Sequence, residues 1–217
     1  MERTAAIETL KQHFGRNLIL PDELNRISEK LGIAAILPES YGVPDIPEIV
    51  MNHPDQYLVI PGVPFTQDNL PLTLARMRTV YGTDPEKSQP CFYNQDWYLN
   101  EAFATETTLE ARWYILLKSV PEPTRARDPE DLLESLFTGS AFPSAILTAY
   151  VFFAWYFLTG GEKLWDHDFL WCSDHDHHGD RIYTGRYTDP AGINRNGFNI
   201  HRHLKLREQY GAISVIN

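Results

Sequence analysis

Hydrophobic positions recur along the chain at different spacings, and each spacing predicts a different element. Ile7, Leu10 and Phe14 fall on one face at helical spacing, as do Leu24, Ile27 and Leu31. Pro21 at the first position and Gly32 just past the last give the second helix a defined start and stop. Prolines at 38, 44, 47, 54, 61 and 64 make the next stretch extended and turning, with residues 57–60 its one good strand. A helix beginning near Pro71 would group Leu70, Leu74 and Met77 and end by Gly82. The run RWYILLK at 112–118 predicts a buried strand. Asp128 caps a short helix with Pro129 at its first position and Leu132, Leu133 and Leu136 turned inward.

The longest apolar run is AILTAYVFFAWYFL at 145–158. It is shorter than the roughly 20 residues a helix needs to cross a bilayer, so it predicts a core helix, closed by Gly160 and Gly161. Beyond Trp165 the texture becomes β: DFLWCSD and RIYTGRY flank HDHHGD, NIHRHLKL follows, and GAISVI closes the chain. The whole reads as one α+β domain. A helical segment, residues 1–45, packs on a main domain, residues 46–217, that ends in short antiparallel strands.

Composition narrows the function classes. At 217 residues and 43% hydrophobic content the chain can bury a core of its own, and a formal charge of −10 disfavours nucleic acid and anionic membrane as partners. Cys91 and Cys172 are too far apart for a thiol zinc knuckle and read as free, buried thiols. The N-terminus mixes both charges and lacks an apolar core, so no signal peptide is expected; the location expected is cytoplasmic or unassigned.

The histidines are distributed unevenly: six of eight lie in the last 51 residues. Between Cys172 and His203, 18 of 32 positions are Asp, His, Arg, Asn or Tyr. Singly spaced Ile182, Ile193, Phe198 and Ile200 would pin the strands of this polar region to the domain while the residues between them face out.

Several chemistries fit parts of that region. Asp174, Asp176, His178 and Asp180 alternate as calcium-loop ligands do, but the twelfth position, where an EF-hand needs a bidentate Glu, is Gly185. A histidine–metal nuclease would draw on His178, Asn199 and His203, although the helix it requires is missing. Cys172 has acidic and histidine neighbours, yet Leu170 and Trp171 place it in a buried strand, and the chain has no G-x-S-x-G or phosphate loop. Residues 21–33 resemble the first helix of a helix-turn-helix, but the segment after them has no basic residue and carries Pro38. The aromatic segment 92–98 could form a stacking platform for sugars or bases, and reads more simply as buried structure.

The segment FPSAILTAYVFFAWYFLTGGEKLW is similar to the helix-then-Gly-Gly stretch of the formylglycine-generating-enzyme branch of the C-type lectin fold. The Trp-containing strand LWCSD, the Gly-rich turns and a terminal strand from Gly211 resemble that fold as well. Within the branch, the polar tail looks most like the variable proteins of diversity-generating retroelements. That resemblance, which covers about residues 57–217, implies a C-type-lectin-like domain whose region about 172–203 is diversified for ligand recognition. Enzymes of the branch use active-site thiols, an arrangement that two distant cysteines do not reproduce.

The expected function is therefore non-enzymatic binding of a protein or other macromolecular ligand, with no cofactor and no bound metal. The expected ligand-binding residues are Asp174, His175, Asp176, His177, Asp180, Arg181, Tyr183, Arg186, Tyr187, Asn194, Arg195, Asn196, Asn199, His201 and His203. Tyr and Arg supply large contact energies and Asn, Asp and His adaptable hydrogen bonds. So many histidines also predict pH-sensitive binding. The alternative is a metal-dependent hydrolase or nuclease using the Asp/His cluster at 174–203.

Overall fold

A computed structural model describes residues 2–135, 141–202 and 206–216. Seven helices, α1 (Glu2–Phe14), α2 (Pro21–Leu31), α3 (Glu48–Met51), α4 (Leu74–Tyr81), α5 (Ala102–Thr105), α6 (Pro129–Ser135) and α7 (Ala145–Thr159), accompany seven strands among these residues. The strands are β1 (Tyr57–Pro61), β2 (Trp113–Leu117), β3 (Phe169–His175), β4 (Arg181–Gly185), β5 (Asn199–His201), β6 (Tyr210–Gly211) and β7 (Val215–Ile216). The fold is thus mixed helix and sheet, as the α+β reading expects.

The predicted helices form, one of them with a shifted start. Pro21 opens α2, and Gly32, in the left-handed conformation at φ 65°, ends it. The helix expected from Pro71 starts later, at Leu74, because the Thr73 side chain caps it, and Leu70 stays outside it, exposed. Asp128 accepts the Glu130 N–H at the start of α6, and Leu132 is buried; Leu136 lies outside the described residues.

Two sheets flank α7. The first has the order β1-β2-β7, all antiparallel; the second has the order β5-β4-β3-β6, antiparallel except for the parallel pair β3 and β6. The expectation of antiparallel C-terminal strands therefore fails at β6. The last strand, β7, leaves the hairpin sheet to pair with β2.

Apolar residues surround α7 on every side, and from Ala145 to Trp155 it is buried throughout. Its Tyr150 hydroxyl donates to the Pro61 carbonyl of β1 at 2.8 Å, and its Thr148 hydroxyl shares a 2.7 Å hydrogen bond with Thr184 of β4. On the first sheet, Leu58, Ile60, Tyr114 and Leu116 join the α7 core, while Val59 and Ile115 pack with Phe14 and Leu18. On the second, Leu170, Cys172 and Ile182 face α7, while Phe169, Trp171 and Tyr183 pack with Leu132, Phe142 and Tyr210.

Both sheets are therefore covered on both faces, which is why their strands read as apolar runs. Residues 1–45 contribute to the same core: Leu24 and Leu31 of α2 belong to the cluster centred on α7.

Candidate functional site

The β3–β4 hairpin and the chain beyond it divide the expected ligand-binding residues into three groups. The first group is structural. Asp174 accepts the Ala145 N–H at 2.6 Å, supplementing the Ser144 side-chain cap at the start of α7, and burial raises its pKa. Arg181 points back across the sheet, donating to the Cys172 carbonyl at 2.9 Å and to Glu130 of α6. Tyr187 is fully buried, its ring stacked 5.2 Å from Phe152 and its hydroxyl accepting the Cys91 N–H.

Asp174 and Arg181, expected to face a ligand, instead bond to the protein's own backbone and to Glu130. Tyr187, expected there as well, is buried, although it contributes to the lining of the cleft formed by the third group. Alternation along β4 leaves one face open only if nothing packs on it; here a second aromatic cluster covers that face, so Tyr183 is buried too. At the end of β4, Gly185 (φ 117°) and the following Arg186 (φ 42°) turn the chain through left-handed conformations and send Tyr187 inward. A Cβ on Gly185 would lie 2.5 Å from the Asp168 carbonyl, so only glycine permits the turn. Ile193, expected to pin a strand, is instead 83% exposed, while Ile182, Phe198 and Ile200 are buried as expected.

The second group sits at the hairpin tip. Asp176 is buried, and its Oδ1 accepts the N–H groups of His178 and Asp180 at 2.9 Å each, closing an Asx-type turn. Burial alone would raise its carboxyl; the Arg202 guanidinium and these two N–H groups outweigh that and hold it below the usual range. His177 bonds through Nδ1 to the buried Glu101 at 2.6 Å, and His175 and His178 are exposed.

Glu101, Asp176 and His177 form the one cluster of metal-ligand type among the described residues. Arg202, however, pairs with Asp176 and lies 3.9 Å from Glu101. A cation there would require the guanidinium to withdraw from both carboxylates. The calcium-loop alternation fails for the same kind of reason: Asp174 is committed to a helix cap and Asp176 to its own turn.

The third group lines a cleft of about 420 Å³. Arg186, Asn194, Arg195, Asn199 and His201 reach it from the loop after β4 and from β5, and the buried Tyr183, Tyr187, Phe169 and Tyr210 line it as well. Asn199 donates to the Arg186 carbonyl at 2.9 Å, holding the left-handed turn in place. Asn194 accepts from the Tyr93 hydroxyl. Asn196 does not line this cleft; its side chain accepts the Asp189 N–H. His203 lies outside the described residues.

Desolvation, helped by Arg186, lowers the His201 pKa to about 4. His201 is thus neutral at physiological pH, and the expected pH-sensitive binding gains nothing from it. The same cleft contains residues that sequence reasoning missed: Tyr93, Gln95, Asp189, Arg202 and Arg207. Gln95 belongs to the aromatic segment that suggested a stacking platform, whereas no spacing signal links Arg202 or Arg207 to it.

That segment is mostly structural. Cys91 and Phe92 are buried, and Trp97 donates to the Ile200 carbonyl while the Arg202 guanidinium lies 4.7 Å over its ring. Gly197 lets the segment approach β5, since a Cβ there would fall 2.5 Å from the Tyr93 nitrogen. Burial raises the pKa of both thiols, which keeps them protonated and unreactive.

Compared with protein-family models, curated proteins and solved structures, the chain matches none. No helix among the described residues is long and apolar enough to cross a membrane.

Proposed function

We propose that the chain is a non-enzymatic recognition protein that engages a protein or other macromolecular ligand through this cleft and the exposed turns beside it. One observation carries the reading: Arg186, Asn194, Arg195, Asn199 and His201 come from separate turns and a strand and line one concavity. Asn199 and His201 are held on β5, Asn199 donates to the Arg186 carbonyl, and the Asp189 carboxylate accepts the Asn194 N–H, so much of the face is fixed by the protein itself.

The finer reading is a C-type-lectin-like scaffold carrying a diversified surface, as in the variable proteins of diversity-generating retroelements. Its support is topological: β7 returns to the first sheet beside β2, leaving the loops that join the strands of the hairpin sheet to display side chains. Diversity on this scaffold would be confined to exposed positions such as His175, His177, Asn194 and Arg195, since Asp174, Tyr183 and Tyr187 are committed to packing.

The test is to sequence the encoding locus for a near-copy of the codons for residues 172–203 that differs at adenines beside a reverse transcriptase. Differences confined to codons of exposed residues are the expected result. Absence of such a copy, or differences concentrated at Tyr187 and Thr184, would overturn the diversified reading.

A further inference from the structure

The cleft is strongly cationic on an acidic chain. Four arginines, Arg186, Arg195, Arg202 and Arg207, line it against a single acidic residue, Asp189, although the whole protein carries 29 acidic and 19 basic side chains. Solubility does not require this arrangement, and gathering like charges around one concavity is unfavourable unless something neutralises them.

Two of the four are already neutralised by the protein. Arg202 is paired with Asp176 behind the cleft, and Arg195 reaches Asp84 at 3.4 Å and Glu86 at 3.5 Å on the rim. Arg186 is held only loosely. Its nearest carboxylate, Asp189, lies 3.6 Å away and already accepts the N–H groups of Ala191, Ile193 and Asn194. Arg207 is exposed and forms no ion pair among the described residues.

Between these charges the lining offers neutral polar groups. The Gln95 amide has its Oε1 buried with no hydrogen-bond partner, beside His201. A half-turn of that amide exchanges its donor and acceptor ends, so it can meet either kind of ligand atom.

We propose that the cleft takes an oxyanion, a carboxylate or phosphate group carried by the ligand, with Arg186 and Arg207 as its cationic contacts. Guanidinium groups match both anions through paired N–H donors, and a low-dielectric aromatic lining strengthens the attraction. This inference rests on the cleft being the recognition site and adds the chemical class of the group that enters it.

The experiment titrates the full chain at low salt with inorganic phosphate, with succinate and with glucose as a neutral probe, reading amide chemical shifts around the cleft. Saturable binding of phosphate or succinate but not glucose is expected, weakened tenfold or more by Arg207→Gln and unchanged by Arg16→Gln. The latter removes the same charge from an exposed pair with Glu162 outside the cleft lining. Preference between the two anions identifies the group.

The proposal is overturned if neither anion binds, or if Arg16→Gln weakens binding as much as Arg207→Gln, since bulk charge would then be the cause. If the anions fail while the locus carries the adenine-varied copy, the recognition reading stands and only the oxyanion class falls.

Discussion

The Asp174 carboxylate and the Ala145 backbone N–H meet at 2.6 Å, tying the middle of a β-hairpin to the first residue of the central helix. Asp174→Ala should therefore cost about 1–2 kcal/mol of stability through loss of this bond to the first N–H of α7, with little effect on ligand binding. Urea denaturation alongside a binding measurement checks this. A loss of binding at unchanged stability would return Asp174 to the ligand face.

Arg181 joins three elements, since it contacts Cys172 of β3 and Glu130 of α6 from its place on β4. Arg181→Ala should destabilise by about 1–3 kcal/mol because the Cys172 carbonyl loses its charged donor. Glu130→Ala should cost less, the Glu130 side chain being mostly exposed. A double-mutant cycle in denaturant separates the two contributions.

The tyrosines and Ile193 should behave in opposite ways. Tyr187→Ala opens a cavity beside Phe152 and should cost about 3–5 kcal/mol, whereas Ile193→Ser should stay within about 0.5 kcal/mol. Thermal unfolding of the two variants provides the comparison. Equal tolerance at both positions would contradict the burial of Tyr187.

His201 makes stability depend on pH. Its folded pKa of about 4 lies below the roughly 6.5 of a solvated imidazole, so between these values the unfolded chain binds more protons. Stability should fall as pH drops through that window, with a slope from this group approaching about 1.4 kcal/mol per pH unit. The groups facing the ring are Arg186, Gln95, Asn199, Phe169 and Tyr183, none of them an acid that would favour the imidazolium. An NMR titration of the His201 ring should show a midpoint near pH 4, and His201→Gln should flatten the stability slope.

Added Ca²⁺, Mn²⁺ or Zn²⁺ should leave the melting temperature unchanged, because Arg202 holds the carboxylates of the Glu101, Asp176 and His177 cluster. A saturable rise that disappears in Glu101→Gln would instead favour the metal-dependent alternative.

The local structure of this protein was determined largely by its sequence. Pro21 with Gly32 set the ends of α2, the unbroken apolar run at 145–158 required a buried helix, and the two aromatic runs around HDHHGD required a hairpin. Each is a short-range consequence of backbone sterics or hydrophobic period, legible from neighbouring residues.

Which polar side chains meet in space was decided only by the tertiary structure. Glu101 reaches the hairpin tip across 76 positions, and Arg202, one residue past β5, pairs with Asp176 there and lies near Glu101. Tyr183 reads as outward-facing until the cluster around Phe142 and Tyr210 closes over it. Alternation reports that a strand has two faces, but whether the second face meets water depends on where the rest of the chain packs, and no local pattern encodes that.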